Sequence, residues 1–135
     1  MLEAKFHRQN YHSPVHVAMR AAEAVRQAVD ETSQRIRLHI KAKMRDRKHG
    51  RMYGKHRASA PGEFPAVDTG NLVGSWKIIK SDLGMTAKIF TDVPYAKFLD
   101  DGTSKMKPRP MIKPTATEFL PVFAHAIAAK ISLAL

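Results

Sequence analysis

Apolar residues recur every three or four positions from Val15 through Ala18, Ala22, Val25, Val29 and Ile36 to Ile40, the period of one helical stripe. In front of it stands Ser13-Pro14, a capping hydroxyl followed by proline where the first helical N–H has no partner to lose. Neither Gly nor Pro interrupts before Gly50. The pattern predicts a helix from about Pro14 to Met44, roughly 45 Å long at about 1.5 Å per residue. A small domain is only about 30 Å across, so part of this helix must project or pack on another subunit. The stripe is rich in Ala, which favours close contact with a second helix.

The pattern then shortens. Ala58 to Val67 holds Pro61, Gly62 and Pro65 and reads as an extended loop. Asp68 is placed to cap a short helix from Thr69 that turns Leu72 and Val73 inward. Ser75–Lys80 alternates as a strand with Trp76 and Ile78 on one face, and Thr86–Val93 does so with Ala87, Ile89, Thr91 and Val93. Asp82 and Gly84 mark the turn between them. A lone hairpin is marginal in water, so it needs a helix or more strands against it. Pro94 opens a short helix with Tyr95, Phe98 and Leu99 on one side, ended by Asp100-Asp101-Gly102. Ser104–Pro110 is basic and broken by proline, a loop or edge strand. A last helix from about Pro114 to Leu133 carries the stripe Phe119, Leu120, Phe123, Ile127 and Ile131, with Pro121 kinking it or delaying its start. The fold class is α+β: a long N-terminal helix, a small antiparallel sheet built on a central hairpin, a short helix, and a C-terminal helix packed on the sheet.

Length and composition add bounds. The 135 residues suit a single domain, 1–135. With no cysteine there is neither a disulfide framework nor a thiolate site. Uninterrupted apolar runs are only a few residues long, and Met1 to Asn10 lacks the apolar segment of a secretory signal, so no membrane partner is expected. The formal net charge is +11, and it is unevenly placed. Arg35, Arg37, Lys41, Lys43, Arg45, Arg47, Lys48, Arg51, Lys55 and Arg57 face a single acid, Asp46, so nine of the eleven net charges lie in this stretch. The end of the long helix and the loop after it form a basic arm, which with the extended loop spans about 41–67. It is suited to a phosphate backbone or an acidic protein surface.

Candidate chemistry is thin. Asp68-Thr69-Gly70 is the triplet of aspartic proteases, which need two such carboxylates and hence a dimer, but here it follows a proline-broken loop instead of a buried strand. Gly50–Lys55 superficially resembles a phosphate-binding loop, yet it is one residue short between its glycines and has His56 where the magnesium hydroxyl belongs. His12 and His16 have i, i+4 spacing, but Ser13-Pro14 puts His12 before the helix. No Ser-His-Asp order carries a nucleophile-elbow signature. No catalytic, cofactor-binding or metal-ligating residue is assigned. Aromatic residues are sparse in the basic arm, which disfavours stacking on single strands.

Two segments carry a family resemblance. One is Ser59-Ala60-Pro61-Gly62-Glu63, Pro65, Asp68-Thr69-Gly70-Asn71-Leu72 and Ser75. The other is Tyr95-Ala96, Phe98-Leu99-Asp100-Asp101-Gly102-Thr103, Met106, Arg109-Pro110-Met111 and Pro114-Thr115-Ala116. In order and spacing they resemble the tail-component family typified by gene product ten of phage Hong Kong 97. The resemblance implies a structural virion protein at the neck, without enzymatic activity. It would be a homo-oligomeric ring, six-fold, between the head connector and the tail terminator or tail tube, with DNA passing through. In that role the Tyr95–Leu99 helix would pack its aromatic face under the hairpin, Gly102 would take a positive dihedral, and Lys105–Pro110 would be a mobile loop reaching a neighbouring ring. The alternatives are a non-specific DNA-binding accessory protein that uses the arm Arg35–Arg57, and a dimeric protease that uses Asp68.

Overall fold

The computed structural model describes residues 13–135, so His12 and Met1–Asn10 lie outside the described residues. Helix α1 runs Pro14–Arg45, and the Ser13 hydroxyl accepts from the His16 N–H at 3.3 Å, as the start signal implies. At 32 residues α1 is about 48 Å long. It does outrun the body: Val15 is 66% and Met19 63% exposed. The buried line begins at Ala24 and continues through Ala28, Val29, Thr32, Ser33, Ile40 and Met44. Thr32 and Ser33 are the polar members that periodicity does not flag. The Ser33 hydroxyl is satisfied locally by the Asp30 carbonyl at 2.9 Å.

The basic stretch is not a free arm. Strands β1 (Met52–Tyr53) and β2 (His56–Arg57) pair antiparallel, and the ladder extends outward through Gly50 N–H to the Ala58 carbonyl and Ala58 N–H to the Arg51 carbonyl. A side chain at Gly50 would sit 2.5 Å from the Ala58 carbonyl oxygen, so only glycine permits this closure. Two residues per strand carry almost no apolar alternation, which is why the hairpin is invisible to periodicity.

Helix α2 is Asn71–Gly74. Asp68 does not cap it. Gly70 occupies the cap position, in a left-handed conformation with no side-chain cap bond, while Thr69 Oγ1 accepts from the Asn71 N–H at 3.4 Å. Strands β3 (Lys77–Ser81) and β4 (Thr86–Phe90) form the central hairpin, with Ile78 opposite Ile89 and Lys80 opposite Ala87. Its tip, Asp82–Gly84, places Asp82 and Leu83 at positive φ, and the Leu83 carbonyl is held to α1 by Arg26 Nε at 2.7 Å. Helix α3 is Ala96–Asp101 and α4 is Ile112–Ala134, so the fold class is the expected α+β.

The core sits on the C-terminal half of α1. Ile40 and Met44 meet Leu72, Val73, Trp76, Ala96 and Met111, with Ile89, Val93 and Leu99 at the edge. Helix α4 takes α1 as its principal partner instead of the sheet. Lys130 pairs with Glu31 at 2.9 Å and His39 with Glu118 at 3.1 Å, and the His39 ring stands edge-on to Phe119 at 5.0 Å. Between α1, β4 and α4 an apolar groove of about 280 Å³ stays open, lined by Val29, Ile36, Ile89, Phe119 and Phe123. Helix α4 continues through Pro121.

Candidate functional site

The two signature segments converge, and most of their polar groups are spent on each other. The Gly62 N–H donates to the Pro108 carbonyl at 3.0 Å. The Arg109 guanidinium donates to the carbonyls of Ser59 at 3.1 Å and Lys107 at 2.7 Å, while its N–H reaches the Leu99 carbonyl at 2.7 Å. One residue thus ties its own loop to the Ser59 loop through the guanidinium fork and to α3 through its backbone N–H. These bonds also anchor Lys105–Pro110, the loop expected to be mobile. Gly102 follows α3 at φ 78°, as anticipated, and a side chain there would stand 2.8 Å from Pro108 Cδ. Thr103 opens a tight turn in which its N–H meets the Met106 carbonyl at 2.8 Å. Ser75 Oγ joins the Leu72 carbonyl at 2.7 Å and Thr91 Oγ1 at 2.6 Å, linking the end of α2 to the end of β4.

Two carboxylates do more than composition suggests. Asp100 Oδ1 accepts from the N–H groups of Met111 at 2.7 Å and Ile112 at 3.0 Å, so it caps α4 from across a loop. Pro114, in the first turn of that helix, has no N–H that needs satisfying. Pro110 lies half-buried beside it and Pro61 is exposed. Glu63 accepts from the Ala60 N–H at 2.8 Å and the His49 N–H at 3.2 Å, and pairs with His49 Nδ1. The Ala60 N–H first, then the His49 ring, hold the Glu63 carboxyl down at about 2. Both roles depend on partners far along the chain or in a loop, so no local pattern reports them.

Around this clamp are two clefts. Asp68, Thr69, Gly70 and Leu72 line one of about 420 Å³ with Tyr95 and Leu99. Asp68 and Thr69 are exposed there, and Ala96 is buried in the core. The aromatic face of α3 is not under the hairpin: Phe98 is 57% exposed and Tyr95 is also exposed, because Ala96 and Leu99 are the residues that face the core. The other cleft, also about 420 Å³, lies between the end of α1 and the β1–β2 hairpin, and Arg45, Arg47, Lys48, Lys55 and Arg57 line it.

The ten cations of this stretch divide by use. Lys48 is 7% exposed and its Nζ donates to the Lys43 carbonyl at 2.7 Å, capping α1 from below. Burial pulls its ammonium below the usual lysine range, with the Glu63 and Asp46 charges opposing. Arg57 donates to the Gly50 carbonyl at 3.0 Å, Arg37 to Gln34 Oε1 at 2.7 Å, and Lys43 pairs loosely with Asp46 at 3.8 Å. Arg51 stacks over the Tyr53 ring at 5.4 Å. The side chains of Arg35, Lys41, Arg45, Arg47 and Lys55 have no hydrogen bond or ion pair among the described residues.

The exposed apolar surface is larger than the periodicity implies. Leu120, expected in the core stripe of α4, is 71% exposed, and only Thr115 and Phe119 of that helix are buried. Helix α4 is long and apolar enough to cross a membrane by length and composition, which the short uninterrupted runs do not reveal. No group of His, Asp or Glu among the described residues is arranged to hold a metal ion.

No curated protein and no solved structure matches the chain. A family model described as "Bacteriophage HK97-gp10, putative tail-component" matches residues 15–102, from α1 to the glycine that ends α3 and well over half of the chain. Arg109, Pro110 and Pro114 lie beyond the matched residues. The chain belongs to the bacteriophage HK97-gp10 tail-component family.

Proposed function

We propose that the protein is a structural component of the virion neck. It assembles as a homo-oligomeric ring of six subunits between the head connector and the tail, leaves a path for DNA, and has no catalytic role. The family match supports the tail-component part of this reading. The observation that carries the rest is the uncovered apolar surface: the outer face of α4 with Leu120, and the α3 aromatics Tyr95 and Phe98. Large exposed apolar patches mark interaction sites, and aromatic residues are favoured anchors at protein interfaces. The first turns of α1, with Val15 and Met19 uncovered, project where a neighbouring subunit can receive them. A protein neighbour suits α4 better than lipid, because Lys113, Glu118, His125 and Lys130 interrupt it.

Imaging of particles that carry a label on this protein tests the reading. A ring of label where head meets tail is the expected result. Label spread along the tail tube, or absent from finished particles, would overturn it.

A further inference from the structure

We infer that the cleft between the end of α1 and the β1–β2 hairpin is a docking surface for the phosphate backbone of duplex DNA. Arg45 and Arg47 approach it from the helix end, and Lys55 and Arg57 from the hairpin. Asp46 is the single acid on its lining. A helix C-terminus by itself repels an anion, since its free carbonyls carry partial negative charge. Here part of that charge is offset from within: the Lys48 ammonium sits on the Lys43 carbonyl, and the Asp46 N–H donates to the same oxygen at 3.3 Å. Lys48 is therefore committed to the protein, and it frees the outer cations for a ligand. The side chains of Arg45, Arg47 and Lys55 have no hydrogen bond or ion pair among the described residues.

The lining selects the class of polyanion. An acidic protein surface would be anchored by apolar or aromatic side chains in a desolvated centre. The cleft offers Met44, which is buried in the core, Ala66, Val67 and the His56 ring, and no large hydrocarbon side chain stands exposed on its lining. Guanidinium forks and an ammonium without apolar anchors are what sequence-independent phosphate contact requires. Contacts to phosphate oxygens carry no sequence information of their own, so the binding should not depend on sequence. The inference rests on the neck reading only for the choice of DNA as the polyanion at hand.

Anisotropy of a labelled duplex of about 20 base pairs, titrated with the full chain from about 0.05 to 0.3 M salt, tests it. Arg45→Gln/Arg47→Gln/Lys55→Gln should weaken binding at least about tenfold at the low-salt end and lower the log–log salt slope by about one per cation removed. Lys97→Gln/Lys105→Gln/Lys107→Gln removes the same charge from exposed positions elsewhere and should have a much smaller effect. Two mixed sequences should bind alike. Equal losses in both triple variants would assign the binding to net charge and overturn the cleft. So would the absence of binding by the parent protein at low salt. A labelled polyglutamate that binds as tightly as the duplex would overturn the choice of DNA. Because the assay uses the isolated protein, its failure leaves the neck reading standing, whereas misplaced label in particles removes that reading and leaves the cleft.

Discussion

Gly102 joins α3 to the Thr103–Met106 turn at φ 78° and ψ 176°, a region that essentially only glycine enters. Any side chain there also meets Pro108 Cδ at 2.8 Å and the Met106 carbonyl oxygen at 2.9 Å. Gly102→Ala should therefore cost at least about 1–3 kcal/mol by urea unfolding. Gly74→Ala is the contrast: an added methyl meets nothing within 4 Å, so stability should hold or rise by up to about 1 kcal/mol. Glu63 makes a prediction in pH. Its folded carboxyl titrates at about 2, below the ordinary value of 4.5, so its contribution is complete above about 4.5 and is lost as pH falls toward 2. Glu63→Gln should remove that acid-side slope from the urea midpoint measured across this window. An unchanged slope would mean that the carboxylate does not hold the 49–63 loop. Gly102 is legible in the sequence, because a glycine after a short helix is a familiar stop. Glu63 is not, because its partners His49 and Ala60 lie in a loop whose path no periodic pattern sets.

Helices declare themselves when one face is buried, and α1 does so from Ala24 to Met44, with a capping hydroxyl at its start and a basic last turn at its end. The central hairpin is legible for the same reason, since half-buried Ile78 and Ile89 each follow an exposed lysine, Lys77 and Lys88, along their strands. Burial within α4 misleads, because its apolar residues surround the helix and only one edge meets α1. Leu120 and Phe119 are equally apolar, yet only Phe119 is buried. The start of α4 is fixed from outside by Asp100, twelve residues before Ile112. Asp100→Ala should cost about 0.5–2 kcal/mol, the usual value of an N-terminal cap, while Asp101→Ala should do little because that side chain is exposed and carries no cap bond. Circular dichroism during urea unfolding reads both. Equal effects would show that the Met111 and Ile112 N–H groups find other partners.

A ring of subunits that each carry +11 must overcome its own repulsion. The cations concentrate at one end of α1 and on the β1–β2 hairpin, while the apolar surfaces lie on α4 and α3. Two associations with opposite salt dependence follow. Contact with DNA releases counterions and weakens as salt rises. Contact between like-charged subunits strengthens, because the screening length falls from about 10 Å at 0.1 M to about 3 Å at 1 M while apolar contact is not screened. Sedimentation of the protein alone should show a species near 15.1 kDa at low salt and larger species as salt is raised. Phe98→Glu and Leu120→Glu place charge on exposed side chains, so they should abolish the high-salt species without unfolding the subunit. Both lie outside the cationic cleft, so the salt slope of DNA binding should stay as in the parent. Stable hexamers of the protein alone at low salt would contradict this balance, since they would need a subunit contact strong enough to hold the unscreened charge without acidic neighbours or DNA.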